Sequence, residues 1–396
     1  MTTRRHILMG MLAAAGATSL GACGSDEPAA ETPTPTPTPE PEPPRSPPTE
    51  TPTPTPTPEP PSPTPTHTPT PTPEPEPTPE AVLRAPLTWL PVDDEASILG
   101  PAVALKVPNL RQETPQTAGF AEADMWFCQP NGDSYTRLVP VFHSRHPESV
   151  GPIRSLRPVD VPLLSPLHLV LGNTGAAGWV MNYVKAHEET LERMTYLEWR
   201  DSGAYTVDRS RVYRANGKNQ FDRAIMAHPA KMALLAERMT AAPPSDYLPF
   251  VEDASLASTA TGSTASHIAI PYGRNHDMSY EYDAASGTYA RSQPWGPHTV
   301  EGGTQLTAEN VLVIRAKWWM DKIWEGGGAA DPVVDIIDAE GPFAYFHGGR
   351  VVTGTWRKGA IAENFTFTLD DGAPLQVAPG RTWVELPHVD AKITTR

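Results

Sequence analysis

Two arginines, three residues apart and set between prolines, are the side chains whose chemistry is easiest to interpret. Arg154 and Arg157 lie in the stretch VGPIRSLRP, which follows a strand-like run. A planar guanidinium binds carboxylate or phosphate groups, often through two hydrogen bonds. A helical turn here would place both arginines on one face, which predicts an anion-binding site. The alternative is that an ion pair with Asp124, Asp160 or Glu148 fixes the loop.

A glycine-rich turn follows in the stretch LGNTGAAG, between a predicted strand and a predicted helix. Its spacing differs from G-x-G-x-x-G, so it does not indicate a dinucleotide fold. Asn173 and Thr174 are the candidate caps of the helix, and the free N–H groups of a helix start attract anions. We therefore assign Asn173 and Thr174 to the predicted anion site. The alternative is that the small residues allow close packing of helix on strand.

Four further residues are candidate acid–base groups or ion-pair partners: Asp124, Asp160, His143 and His146. Carboxylates and a histidine near the arginines would suit a hydrolase or transferase. However, the sequence has no G-x-S-x-G, H-E-x-x-H or Walker motif. The histidine pair has the spacing of half a metal site, but such a pair in a loop is more often solvated polar surface. Cys128 in an apolar run is more typical of core packing. We predict no metal and no cofactor.

The first residues have the composition of an export signal. A charged start with Arg4 and Arg5 is followed by a short apolar run and then by LGAC. The run is too short to span a bilayer, which takes about 20 apolar residues. The arginine pair resembles a twin-arginine signal, and LGAC resembles a bacterial lipobox. We predict a signal peptide over 1–22 and a lipid on Cys23 that anchors the chain to the outer face of the cytoplasmic membrane.

Residues 23–85 are dominated by proline, threonine and glutamate, with few apolar side chains. Such a segment cannot form a core, so it predicts a disordered, extended linker. At about 3.1 Å per residue, it would span on the order of 150 Å. The whole chain has a formal charge of −15. This charge excludes the broad basic surface that nucleic-acid binding needs, and the sequence identifies no protein partner.

The remaining sequence predicts an α+β fold in two domains. Over 86–250, apolar runs and helical periodicity alternate, which indicates a mixed α/β domain. The stretch after the glycine-rich turn predicts a helix of about five turns that includes Leu191 and Met194. Over 251–396, short strands alternate with turn residues such as Gly287, Gly348 and Gly372, which indicates a mostly antiparallel β domain.

Several stretches of both halves resemble one known family, the YerB-like lipoproteins. They include ALKVPN, TPQTAGFAEADMWF, YTRLVPVF and VGPIRSLRP in the first half, and LTAENVLVI, GGRVVTGTWRK and APGRTWVELP in the second. The resemblance covers nearly all of residues 86–396. It implies a secreted, lipid-anchored protein held at a distance from the membrane. The folded part of this family is a domain of unknown function, so the resemblance implies no activity.

These observations favour a binding or scaffold protein of the cell envelope, whose ligand would be an anionic wall component. The alternative is an envelope hydrolase or transferase without a familiar motif. A third hypothesis is a partner-docking module, because the stretch KWWMDKIWEGGG is rich in the aromatic residues that are common at interfaces. Such residues are also common in a core, and a core position is the favoured interpretation of these tryptophans.

Overall fold

A computed structural model describes residues 82–132, 135–273 and 276–396. The predicted signal peptide and nearly all of the predicted linker, with Arg4, Arg5 and Cys23, lie outside the described residues. Ala85 and Leu87 are already buried, and Arg84 forms an ion pair of 2.9 Å with Glu252. Residues 84–87 therefore already belong to the folded body.

The described residues form four α-helices and many short strands. The helices are α1 Asp160–Leu164, α2 Gly178–Lys185, α3 Tyr196–Trp199 and α4 Pro229–Leu235. The strands are β1 Val103–Leu105, β2 Val107–Asn109, β3 Met125–Pro130, β4 Thr136–Phe142, β5 Leu169–Asn173, β6 Leu191–Thr195, β7 Tyr205–Val207, β8 Tyr213–Ala215, β9 Lys218–Gln220, β10 Ile225–Ala227, β11 Ser263–Thr264, β12 His267–Ile270, β13 Met278–Asp283, β14 Thr288–Gln293, β15 Gly296–Pro297, β16 Thr307–Ala308, β17 Asn310–Ile314, β18 Trp318–Asp321, β19 Asp331–Val334, β20 Ala339–His347, β21 Arg350–Lys358, β22 Thr366–Leu369, β23 Thr382–Glu385 and β24 Thr394–Thr395. Short 3₁₀ helices occupy Glu95–Ile98, Arg111–Glu113, Ala118–Glu122, Ser165–Leu167, Arg209–Arg211, Ala254–Leu256 and Ser258–Thr261.

One mixed sheet of twelve strands runs through both halves of the sequence. Its order is β11-β21-β20-β17-β23-β3-β4-β1-β5-β6, with β2 paired to β4 and β22 paired to β21. The two halves meet where β23 lies parallel to β3, with Glu385 opposite Cys128. On its other edge β23 is parallel to β17. A strand from the end of the chain therefore joins the second-half strands to the first-half strands.

Both faces of this sheet are covered, which explains the continuous apolar runs at its centre. All residues of β3 and β4 are buried. Met125 and Phe127 pack into one core with α1 and α2, whereas Trp126 and Cys128 pack into a second core on the opposite face. Side chains alternate between faces along a strand, so a strand covered on both sides has no polar face.

A second, antiparallel sheet covers the second core. It contains β15-β14-β13-β12-β24, with β16 paired to β14, and it belongs entirely to the second half. Between the sheets, the rings of Trp126 and Trp383 stack with centroids 5.1 Å apart. The fold is thus α+β, with a mixed sheet and few helices in the first half and antiparallel strands in the second. The fold class predicted from the sequence is confirmed.

The predicted five-turn helix is wrong in its length. Helix α2 ends at Lys185, and Leu191 and Met194 belong to strand β6, which pairs in parallel with β5. The apolar positions fitted a helical period, but Leu191 and Met194 fill opposite cores of the sheet. Tertiary pairing along the edge of β5 therefore decides the structure of this short segment.

A fully buried polar network links the two sheets at the β23–β3 junction. Glu385 forms an ion pair of 3.2 Å with Arg291 and accepts hydrogen bonds from Tyr272 and Tyr280. The guanidinium of Arg291 also lies 4.3 Å from the ring centroid of Trp383. Both charged side chains are 0 % exposed. Each charge therefore depends on the other for compensation.

We expect Arg291→Met to lower the free energy of unfolding by about 3–5 kcal/mol, because the Glu385 carboxylate would remain buried without its cation. Urea unfolding would measure this loss. The double variant Arg291→Met/Glu385→Gln should lose clearly less than the sum of the two single variants, because the two side chains interact directly. Strict additivity of the two single losses would contradict this account of the network.

Candidate functional site

Arg157 lies in a group of charged side chains at one end of strands β3 and β4. Its backbone N–H donates to the Asp160 carboxylate at 2.7 Å, and its Nε donates to Asn131 Oδ1 at 2.6 Å. It also forms an ion pair of 3.4 Å with Asp331, a residue of the second half. The Asp160 carboxylate in turn accepts from Lys106 Nζ at 2.5 Å, and both side chains of that pair are fully buried.

Arg154 belongs to the same group of charged side chains, but it pairs with a different acid. Its guanidinium pairs with Glu113, and its backbone N–H donates to the Lys106 carbonyl at 2.8 Å. The acids that hold the two arginines are thus Glu113 and Asp331, beside Asp160, rather than Asp124 or Glu148. The segment around Arg154 makes no helical turn, because its backbone bonds to strands on either side.

Arg137, from the start of β4, is the least compensated member of the group. It is 5 % exposed, and its Nη2 donates to Asn131 Oδ1 at 3.3 Å, the oxygen that Arg157 also uses. Within the described residues, its Nε and Nη1 are buried without a hydrogen-bond partner. We call Lys106, Arg137, Arg154 and Arg157 the cationic cluster. An unpaired buried donor costs about 1–3 kcal/mol, and more if it is charged.

The pKa shifts in the cationic cluster reflect burial and crowding of like charge. Burial, with Arg157 and Arg154 nearby, lowers the pKa of Arg137 to about 9. Burial lowers the pKa of Lys106 to about 8, although Asp160 opposes the shift. Burial also raises the pKa of Glu113, and Arg154 acts against this. At neutral pH Arg137 and Lys106 thus remain protonated, and an added anion would stabilise their charged forms.

The glycine-rich turn adjoins the arginine segment through its backbone. Thr174 N–H donates to the Arg154 carbonyl at 3.0 Å, and Leu156 N–H donates to the Gly175 carbonyl at 2.9 Å. The buried Asn173 amide bonds within the turn: its Oδ1 accepts from the Gly175 N–H at 2.8 Å. The side chain of Thr174 is half-buried. The turn thus lies beside Arg154, but its best hydrogen-bonding side chain is already used.

The predicted cap of α2 by Asn173 or Thr174 is wrong. The N-cap is Ala177, which makes no side-chain cap bond. The N–H of Trp179 instead donates to the Gly327 carbonyl at 3.1 Å. A Cβ at Gly326 would lie 2.6 Å from backbone atoms of Trp179, so only glycine allows this approach. A loop of the second half therefore covers the helix start where an anion was expected.

Asp124, His143 and His146 lie at the opposite end of strand β4 from Arg137. Arg137 and His143 are six residues apart along an extended strand, about 20 Å. Asp124 accepts from the backbone N–H groups of His143 and Ser144, which closes a turn. Of the four predicted acid–base residues, the structure therefore brings only Asp160 to the arginines.

The histidines are neutral at this end of the strand. Burial lowers the pKa of His143 to about 4 and also lowers that of His146, where His143 adds to the effect. A cavity of about 470 Å³ lies beside Asp124 and is also lined by Glu122, Arg145 and Arg381. Among the residues that the structure describes, no group of three His, Cys, Asp or Glu side chains has the arrangement of a metal site. Cys128 is buried beside Glu385, and burial raises its pKa.

The aromatic stretch of the second half is divided between surface and interior. Trp319 and Trp324 are 44 % and 43 % exposed on and after β18, beside Met320 and Ile323. Trp324 also packs against Tyr183 of α2, with ring centroids 5.3 Å apart. Trp318 is half-buried against the core. Strand β18 and the residues after it therefore expose a small apolar surface, which is what the partner-docking hypothesis requires.

Three residues of the site, Lys106, Arg137 and Glu113, were not predicted from the sequence. A signal for two of them was present, because Lys106 interrupts the apolar run PAVALKV and Arg137 interrupts YTRLVPVF. A charged residue inside a buried strand needs a partner or a function. Glu113 carried no such signal, since it lies in a polar turn far from Arg154 in sequence.

The buried Lys106 predicts a rise in stability with pH. Its pKa is about 8 in the folded protein and about 10.5 when unfolded, so the unfolded state holds an extra proton between these values. The free energy of unfolding should therefore gain a contribution from Lys106 that grows from about pH 8 to about pH 10.5. Denaturation of wild type and Lys106→Met across this range would isolate it. An identical pH dependence in both proteins would contradict the prediction.

Comparison with known proteins places both halves of the chain in one family. Residues 87–227 match the family model described as Protein of unknown function (DUF3048) N-terminal domain. Residues 268–384 match the model of its C-terminal domain. Both matches lie within the described body and contain most strands of the shared sheet.

The chain is also similar to a protein of Bacillus subtilis (strain 168) named putative lipoprotein YerB. The two are 26 % identical over 316 residues, which cover 78 % of this chain and 88 % of the relative. The crystal structure of YerB protein from Bacillus subtilis matches with a TM-score of 0.62 at 23 % identity, and covers 79 % of this chain and all of the other. In the described part of the chain, no helix is long and apolar enough to cross a membrane.

The two family models together cover well over half of the 396 residues, in the order N-terminal then C-terminal domain. The chain therefore belongs to the DUF3048 family of YerB-like proteins, whose function is unknown.

Proposed function

We propose that this protein is a lipid-anchored binding or scaffold protein of the cell envelope, and that its cationic cluster binds an anionic envelope component. The observation that carries the proposal is Arg137. Its guanidinium is buried, protonated at neutral pH, and has two nitrogen atoms without a partner among the described residues. A carboxylate or phosphate oxygen would supply the missing acceptors.

The acids of this region hold the cationic cluster together without saturating it. Asp160 pairs with Lys106, Glu113 pairs with Arg154, and Asp331 pairs with Arg157. Arg137 shares only a neutral amide oxygen with Arg157.

Access to the cationic cluster comes through its two outer members. The side chains of Arg154 and Arg157 are 25 % and 15 % exposed, so the cluster reaches the surface there. A ligand that arrives at these arginines would meet fixed guanidinium groups, which lose little freedom on binding.

The hydrolase or transferase alternative has less support. It needs two carboxylates and a histidine near the arginines, but His143 and Asp124 lie about 20 Å away along the strands. Asp160 is already used by Lys106, Gln129 and the Arg157 backbone.

The anchor part of the proposal rests on LGAC at residues 20–23 and on the name of the Bacillus relative. A lipid on Cys23 and the extended linker would hold the body away from the outer face of the cytoplasmic membrane. Export through the twin-arginine route rests on Arg4 and Arg5.

We expect Arg154→Ala/Arg157→Ala to weaken binding to purified cell wall at least about tenfold, because each charged hydrogen bond is worth about 1.5–3 kcal/mol. Sedimentation of the labelled protein with the wall material would measure the affinity. The matched control is Arg200→Ala/Arg357→Ala, which removes two exposed guanidinium groups elsewhere. Equal binding by the wild type and both variants would refute the arginine site.

We expect Cys23→Ala to release the protein from the membrane, since the thiol that would carry the lipid is lost. Fractionation of cells that produce each form, with incorporation of a labelled fatty acid, would test this. The wild type should be labelled and membrane-bound, and the variant should be unlabelled. Labelling of Cys23→Ala at the wild-type level would disprove anchoring at this residue.

A further inference from the structure

A basic hairpin stands out in this acidic protein. Residues 209–223 contain Arg209, Arg211, Arg214, Lys218 and Arg223, but a single acid, Asp222, whereas the whole chain has a charge of −15. Strands β8 and β9 pair with each other only, which makes a two-stranded ribbon. We call residues 209–223 the basic hairpin.

The outer cations of the basic hairpin are free to meet a ligand. Arg209, Arg214 and Lys218 are exposed, and none of them forms an ion pair with a described residue. Arg214 donates to the Gly217 carbonyl at 2.9 Å, which orients its guanidinium at the tip of the ribbon. Arg214 and Lys218 lie on opposite faces, because Lys218 is paired with Ala215.

The base of the basic hairpin is fixed beside the cationic cluster. Arg211 donates to the Pro115 carbonyl at 3.3 Å, two residues from Glu113. Burial is the main cause of the raised pKa of Glu113, and the Asp222 carboxylate adds to it. Asp222 also accepts a hydrogen bond of 3.1 Å from Tyr213. Glu113 is the partner of Arg154. The ribbon thus begins beside the Arg154–Glu113 pair, and its exposed cations lie beyond a base at which Glu301 neutralises Arg211.

We infer that the cationic cluster and the basic hairpin together bind one linear polyanion, a polymer with a phosphate or carboxylate group in each repeat. The inference rests on the proposed function and names its ligand class. A small anion would fill only the site at Arg137, and Arg209, Arg214 and Lys218 would take no part. A flexible polymer chain that enters at Arg154 can continue along the ribbon and pass around its tip, where Arg214 and Lys218 lie on opposite faces.

A flat anionic membrane fits the same residues less well. The excess of negative charge over the rest of the chain would oppose a close approach to such a surface. A linear polymer, in contrast, has to approach only the narrow ribbon and not the acidic surface of the rest of the chain. However, Phe221 is 44 % exposed within the basic hairpin, so vesicles belong in the test.

The test compares a short anion with polymers of the same charged groups. The ligands titrated are pyrophosphate, long-chain inorganic polyphosphate, polyglutamate, and vesicles of phosphatidylglycerol and phosphatidylcholine. Each is added to wild type, Arg214→Ala/Lys218→Ala, Arg154→Ala/Arg157→Ala and the control Arg357→Ala/Lys392→Ala. For the hairpin variant we expect affinity for at least one polymer to fall about tenfold, with no change for pyrophosphate. The slope of log affinity against log salt should fall by about 1.4, because each neutralised charge contributes about 0.7 for a single strand.

The outcomes separate this inference from the proposed function. If the hairpin variant binds both polymers as tightly as the control does, the inference of a polyanionic ligand is wrong. Binding of pyrophosphate would then still support an anion site at the cationic cluster. If neither the wild type nor Arg154→Ala/Arg157→Ala binds any of the three anions, the proposed function itself fails. If the hairpin variant loses affinity only for vesicles of phosphatidylglycerol and phosphatidylcholine, the ligand is a membrane and the inference is overturned.

Discussion

The parallel pairing of β23 with β3 is the interaction on which the rest of the structure depends. It turns the strands of two sequence halves into one sheet, and it buries the Glu385 side chain among residues of the second core. A carboxylate in such a place needs a cation and hydrogen-bond donors. Arg291 and Tyr280 of the second sheet supply them, together with Tyr272 just after β12, so the junction also determines how the antiparallel sheet packs.

The same principle operates with a different result on the opposite face of the sheet, one residue further along β3, where Gln129 is paired with Arg137. There the strands bury Lys106 and Arg137 instead of an acid, and three carboxylates are placed around them. Around Glu385 the compensation is nearly complete, which suits a structural element. Around Arg137 it is incomplete, and an incompletely satisfied buried charge is more typical of a binding site than of a scaffold.

Local patterns predicted much of the fold and little of the candidate site. Continuous apolar runs indicated β3 and β4, and glycine turns indicated the hairpins of the second half. The helix after the glycine-rich turn was overestimated, because Leu191 and Met194 satisfy both a helical period and a parallel edge strand. The arginines were recognised from their type and spacing, but Glu113 and Asp331 were not, since they are 41 and 174 residues away from their partners in sequence.

The sequence by itself determined the strands, the turns and the family, because these depend on neighbours along the chain and on short motifs. It also contains stretches that resemble an export signal and a lipobox. Only the tertiary structure decided which charges meet. Asp124 and Asp160 were equal candidates in the sequence, yet they lie at opposite ends of the same strands. Electrostatic interaction falls off with distance in space, and the sheet topology sets that distance.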